Sequence, residues 1–237
     1  MDAVIRSGGQ ISRGSELIVD PYHGQARMSI RPLDHTLFGQ VLGHYRIAAR
    51  APSGGAAGIT ATLGAASTLF SFRWTDASRF CVLQRVAVAV GVIAAVTTQV
   101  VMDCDVKIAR IWTAADSGGT NLTPSAQTVT TSQKNRTTMG PSLLGDCRIH
   151  TTGALTAGTR TLDNQAFGGG AFKAMVPFQA AGMASDMMEL YRWLGLGEYP
   201  IVFSQNEGFI MENITAGPAT GTIGYAVVVE WAEMAAF

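Results

Sequence analysis

The stretch GYAVVVEWAEM at residues 224–234 decides how this chain is read. Taken by twos, Tyr225, Val227, Val229 and Trp231 fall on one face, and Ala226, Val228, Glu230 and Ala232 on the other. Period-2 alternation in β-branched and aromatic residues is the mark of a strand. Just before it, Gly217, Pro218, Gly221 and Gly224 signal a turn, and GFIMENI (208–214) reads as a hairpin partner. A terminal hairpin held in a sheet keeps a chain end from fraying. Glu230 and Glu233 need a separate account, because three residues apart on an extended strand they point to opposite faces. A carboxylate buried without a partner costs several kcal/mol. Glu230 is therefore expected on the outer face or at a subunit boundary, paired with an arginine such as Arg73, Arg79, Arg85 or Arg110.

Working outward, strand patterns recur. TLFSFRW (68–74), RFCVLQRVAVAVGVI (79–93) and VTTQVVMDCDVKIARIW (96–112) come in series, with shorter ones at AQTVTT, CRIHTT and YPIVFS. In the third, Val101, Asp103, Asp105 and Lys107 alternate with Met102, Cys104, Val106 and Ile108, as in a half-buried antiparallel strand. DSGGTNLTPS (116–125) is a loop signal. One helix is expected near 177–195: it opens at Pro177, and Met183, Met187, Leu190 and Leu194 form one apolar stripe before Gly195 and Gly197. Residues 1–50 show no sustained period and read as an extended N-terminal arm, with Tyr22, Leu33 and Phe38 among its apolar contacts to a neighbour. Residues 51–237 then form the domain. The expected fold is mainly β, an antiparallel β-sandwich or jelly roll with one inserted helix and that arm.

Composition narrows the function. Only 14% of the 237 residues are charged, against roughly 25% in ordinary soluble domains. Glycine is abundant at 27. Charge normally keeps isolated proteins soluble, so a surface this lightly charged suits burial against other subunits. The formal net charge is zero, which offers no global attraction for nucleic acid or an anionic membrane. Lysine occurs only at 107, 134 and 173, leaving arginine, the better residue for bidentate pairing at interfaces, as the main cation. Cys81, Cys104 and Cys147 are too widely spaced for a disulfide framework or a C-x-x-C metal site and read as buried free thiols. The longest apolar run, VAVAVGVIAAV (86–96), is short for a membrane helix, and MDAVIRSGGQ lacks a secretory pattern. A soluble product of a reducing compartment is expected.

No catalytic signature stands out. His23, His35, His44 and His150 give neither H-x-x-x-H nor H-E-x-x-H, so no metal is expected. DCD at 103–105 reads as part of a charge-balanced, solvated face with Lys107. GGAAG (54–58) is not a dinucleotide fingerprint, and no cofactor is expected. There is no G-x-S-x-G or phosphate-binding loop. Glu230 and Glu233, on opposite faces, are not a glycosidase pair. In SFRWTDASRF (71–80), Arg73, Trp74 and Arg79 invite comparison with a base-stacking site, but pairing of Arg73 with Asp76 in a turn accounts for them better.

FRWTDASRFCVLQRV (72–86), ARIWTAADSGGTNLT (109–123), QKNRTTMGPSLLGDCRIHTTGALTAGTRTLD (133–163) and QNEGFIMENI with GYAVVVEWAEM together resemble structural proteins in the virions of tailed bacteriophages. The resemblance spans roughly residues 28–234 and lies in overall texture. It implies a jelly-roll or β-sandwich core without catalytic residues, an arm that contacts neighbours, and a place in the virion after synthesis in the host cytoplasm. It also implies a homo-oligomer with itself and other virion proteins as partners, and neither specific nucleic acid nor membrane. Tyr22, Leu33, Phe38, Glu230 and Glu233 are the expected subunit contacts. The chain departs from the major capsid shell, whose long spine helix and extended hairpin have no counterpart here. The alternative is a receptor- or glycan-binding β-sandwich module. Such a module usually displays aromatics on loops, whereas Trp74, Trp112, Trp193 and Trp231 sit within or at the ends of expected elements.

Overall fold

The strand that contains GYAVVVEWAEM runs through the middle of a sheet. A computed structural model of the chain describes residues 16–19, 26–29, 41–51, 58–59, 63–97, 100–101, 103–124, 133–134, 140–169, 175–176, 181–182, 184–194 and 199–235. Among the described residues sixteen strands form: β1 (Glu16–Val19), β2 (Ala26–Ser29), β3 (Val41–Ala51), β4 (Thr68–Trp74), β5 (Phe80–Ala94), β6 (Val100–Val101), β7 (Cys104–Arg110) and β8 (Thr120–Asn121), followed by β9 (Gln133–Lys134), β10 (Asp146–Ile149), β11 (Thr161–Gly169), β12 (Met175–Val176), β13 (Met188–Arg192), β14 (Ile201–Phe203), β15 (Glu207–Asn213) and β16 (Thr222–Met234).

Eight of them obey one pairing rule. β3 pairs with β16, β4 with β15, β5 with β13 and β7 with β11, all antiparallel. First meets last, second meets seventh, third meets sixth and fourth meets fifth, as in one long ribbon folded on itself. Rolling that ribbon sets β16 beside β5 and β15 beside β7. The outcome is two facing sheets with cores β13-β5-β16-β3 and β11-β7-β15-β4. This is the connectivity of a jelly roll.

The core fills the space between the sheets. Tyr225, Val227, Val229 and Trp231 of β16 point inward, as the alternation requires, beside Val86, Val88 and Val90 of β5. From the other sheet come Phe70, Phe72 and Trp74 of β4 and Phe209 and Met211 of β15. Phe72 joins the layers: its ring stacks on Phe209 at 5.2 Å and meets Trp231 edge-on at 5.2 Å. Along one side, β11 and β13 close the seam through an edge-on Phe167–Tyr191 contact. Gly168 permits that approach, since a Cβ there would strike the Leu190 carbonyl.

The opposite side is closed by an insertion between β7 and β11. Within it, β10 and β8 extend the β15 sheet beyond β4, and β9 pairs with β3 of the β16 sheet. Residues 140–145 bridge the two sheets. Tyr45 Oη donates to the Gly140 carbonyl at 2.9 Å, and Ser142 Oγ and the Leu143 N–H donate to Glu233 Oε1 at 2.7 and 3.0 Å. Another part of the insertion lies on the outer side of the β15 sheet. There Trp112 is buried with Ala109, Ile210 and Leu162, and the Arg160 guanidinium sits 5.0 Å above its ring.

Three expectations need correction. Residues 208–214 and 224–234 do not form a hairpin: β15 and β16 belong to different sheets, and the Gly217–Gly221 turn carries the chain between layers. Both strands are apolar on alternate positions because each is central in its own sheet, so turn signals between them could not reveal the change of layer. Residues 41–50, read as part of the arm, form β3, which pairs with β16. His44, Arg46 and Arg50 hide the inward alternation of Tyr45 and Ile47 from a hydrophobicity count. The helix expected near 177–195 is not formed in its described part. Gly182 and Ser185 donate to Val92 and Val90 of β5, β13 continues along β5, and the Trp193 N–H donates to Gln84 O. A helix would have left one edge of the long β5 strand without hydrogen-bond partners, and the period-2 placement of Met188 and Leu190 inward suits the strand. AQTVTT (126–131) lies outside the described residues.

Buried polar groups make the fold sensitive to acid. His150 is fully buried at the end of β10, its Nδ1 is 3.1 Å from the Thr151 carbonyl, and its ring meets Tyr225 edge-on at 5.3 Å. Burial pulls its pKa down from 6.5 to about 4. The folded state thus binds the proton less readily than the unfolded chain. Its contribution is fully present above pH 6.5 and is lost as the pH falls towards 4. The loss amounts to about 3 kcal/mol. Burial raises the pKa of Glu233 and Asp146, which favours the protonated folded state and works in the opposite sense. The difference between parent and His150→Phe, measured as melting temperature from pH 7 to pH 4, therefore isolates the histidine. The parent is expected to lose stability more steeply, and equal slopes would refute this account.

Candidate interaction surface

Alternation along β16 sends the even-numbered side chains to the outer face, where one row of charge crosses the sheet. Register places Glu230 beside Arg46 of β3 and Arg85 of β5. Glu230 Oε1 lies 3.6 Å from Arg46 Nε and 3.4 Å from Arg85 Nη1. Arg85 Nε then reaches Glu189 of β13 at 2.8 Å, and Arg192 Nη1 meets the same carboxylate at 3.3 Å. Arg46, Glu230, Arg85, Glu189 and Arg192 thus alternate in sign across four strands. The Glu230 and Arg85 side chains are 32% and 28% exposed, so solvent screens the row. Shared carboxylates hold its guanidinium groups in place.

The edge strand of the same sheet is flanked by exposed apolar residues. β13 and β14 both pair with β5, one after the other. Leu194, shortly after β13, and Tyr199, shortly before β14, are 59% and 91% exposed. Met187, just before β13, is also exposed. Sequence reading missed this feature because the expected helix placed Leu194 on a buried stripe.

The expected site residues divide as follows. Glu230 is on the outer face with arginine partners, Arg85 among those anticipated. Glu233 is corrected: it is fully buried within the chain, where it accepts from Ser142 and Leu143 and lies 3.6 Å from Arg79 Nη1. Glu233 continues the inward alternation of Trp231, and so it ties the insertion to the core instead of facing a neighbour. Tyr22, Leu33 and Phe38 lie outside the described residues. Arg73 does not pair with Asp76; its Nε donates to the Trp112 carbonyl at 2.8 Å and its Nη2 to Asn206 Oδ1 at 3.2 Å. Asp76 instead accepts from Ser78. Asp103 is buried rather than solvated, and Lys107 pairs across strands with Glu212.

Cys81, Cys104 and Cys147 are free and buried. Burial raises all three thiol pKa values, that of Cys104 to about 12, which keeps them protonated and poorly nucleophilic at neutral pH. Among the described residues no three His, Cys, Asp or Glu side chains are grouped as a metal site requires. No helix among them is long and apolar enough to cross a membrane. Comparison of the chain with protein-family models, curated proteins and solved structures finds no match in any of the three.

Proposed function

We propose that the chain is a non-enzymatic structural protein of a bacteriophage particle, assembling as a homo-oligomer on the head or tail in contact with other virion proteins. The observation that carries this reading is the composition, only 14% charged residues with arginine as the main cation, on a β-sandwich whose outer face carries an ion-pair row. A surface so lightly charged is suited to burial against neighbouring subunits. Jelly rolls serve in capsids and also in lectins, so the fold alone favours neither class. Antibody against the chain is expected to label intact particles in electron micrographs, and labelling confined to soluble host lysate would overturn the reading. The second reading, a receptor- or glycan-binding module, is favoured by Tyr199, an almost fully exposed aromatic on a loop. Glycan binding that Tyr199→Ala abolishes, with the chain monomeric, would replace the first reading by the second.

Glu230 remains a proposed contact residue. Glu230→Gln removes the carboxylate shared by Arg46 and Arg85 while leaving the sheet intact. Monomer stability is expected to change by less than about 1 kcal/mol, as for exposed pairs. The salt dependence of assembly, followed by light scattering, is expected to change. Thermal destabilisation comparable to a core truncation, with assembly untouched, would place Glu230 in the core instead.

A further inference from the structure

We propose, resting on the homo-oligomer reading, that two copies pack face to face through the outer side of the β16 sheet, about a two-fold axis running parallel to the strands between β16 and β5. The strands lie in the order β13-β5-β16-β3. In that order the ion-pair row places Glu189, Arg85, Glu230 and Arg46 on them. The signs read minus, plus, minus, plus. An axis between the two middle strands exchanges β5 with β16 and β13 with β3. Glu230 of each copy then faces Arg85 of the other, and Arg46 faces Glu189. An axis along β16 or β5, or across the strands, would instead set each charge of the row against its like, which opposes association. The row is therefore complementary to itself about one axis, as an isologous contact requires.

Strand register supports the same axis. Rotation about a line parallel to the strands keeps every residue at its level along them. Glu230 is level with Arg85 and with Arg46, so the central contacts form without sliding one copy past the other. Glu189 is level with Ala87 and reaches the row through its 2.8 Å contact with Arg85 Nε. Arg192 is level with Arg85, but it stands on the outermost of the four strands with its side chain 59% exposed, where solvent screens it. Beside the row, Ala226 pairs with Ala89 and Gly224 with Gly91. Such small groups do not hold a second sheet away.

The pairs within one chain leave the row available. The side chains of Arg46, Arg85, Glu189 and Glu230 are between 28% and 43% exposed. A guanidinium presents several N–H donors and a carboxylate accepts from several directions, so one or two contacts do not exhaust either group. Side chains already held by neighbours also lose less rotamer freedom on association.

Charge exchange in the full chain tests it. Glu230→Arg and Arg85→Glu each set like charges across the axis. Light scattering is expected to show either variant alone as a 25.0 kDa monomer, with the β circular-dichroism signal retained. Mixed one to one they are expected to dimerise, because one variant carries arginine at both central positions and the other glutamate. A mixture that stays monomeric, or a variant that assembles like the parent, overturns the contact. A monomeric parent removes the homo-oligomer reading itself, whereas a parent oligomer that both variants preserve removes only this contact. Ala226→Cys and Ala89→Cys supply a readout that leaves the charges in place. The axis sets position 226 of one copy opposite position 89 of the other. Mild oxidation is therefore expected to crosslink a mixture of these two variants faster than either alone, and equal rates overturn the axis.

Discussion

Trp231→Ala is expected to destabilise the fold by about 3–5 kcal/mol, the range for truncating a large buried aromatic. Trp231 is fully buried in the centre of the β16 sheet. Its ring stacks on Tyr45 at 5.6 Å and receives Phe72 of the opposite sheet edge-on at 5.2 Å. One substitution thus removes a lateral contact within a sheet and a contact between sheets. The cavity would open beside Glu233, whose Oε1 lies 3.4 Å from the indole Nε1. A melting temperature lower by on the order of 10 °C is expected for a chain of this size. Trp231→Phe, which keeps most of the inter-sheet packing, should cost clearly less. A loss below about 1 kcal/mol for the alanine variant would mean that the sheets do not meet through this residue.

Asp116→Ala is expected to cost a similar amount, about 3–5 kcal/mol, by a different mechanism. Asp116 and Arg160 form an ion pair with side chains 0% and 4% exposed. Asp116 Oδ1 also accepts from the Gly158 N–H at 2.8 Å, and Arg160 Nη2 donates to Thr68 Oγ1 at 3.0 Å. Together these bonds hold the outer part of the insertion against the β15 sheet, with Trp112 beneath the guanidinium. Removing the carboxylate leaves a buried cation, and Glu212, the carboxylate that still acts on it electrostatically, is already engaged by Lys107. The penalty comes from the stranded charge, since desolvation offsets much of what an intact buried pair contributes. Asp116→Leu combined with Arg160→Met should therefore cost less than Asp116→Ala alone. Chemical denaturation of both variants checks this, and a double variant that costs the sum of two single losses would show that the charges act independently.

Much of the fold was legible in local pattern. The alternation of Tyr225, Val227, Val229 and Trp231 specified a strand and its inward face, because side-chain direction in an extended chain follows from covalent geometry alone. The same logic placed Glu230 outward, and the wide spacing of the three cysteines marked them as buried free thiols. It went wrong where one sequence satisfied two periods. Met183, Met187, Leu190 and Leu194 fit a helical stripe, yet Met188 and Leu190 equally fit a strand, and the choice was made by β5, whose long edge required hydrogen-bond partners.

The candidate surface was the least legible part. Nothing local to Leu194 and Tyr199 distinguishes exposed apolar residues from core ones; their exposure follows from where β13 leaves β5 and β14 rejoins it. Glu233 shows the converse, since only the arrival of Ser142 and Leu143 from an insertion some ninety positions away gives its carboxylate a reason to be buried. The sequence by itself determined that the long alternating segments that became β4, β5, β7 and β16 are strands and which of their faces turn inward, because these depend on neighbours along the chain. Tertiary structure alone decided which sheet each strand joins, which edge is interrupted and which charges are paired, because these depend on residues that meet only when the ribbon rolls up.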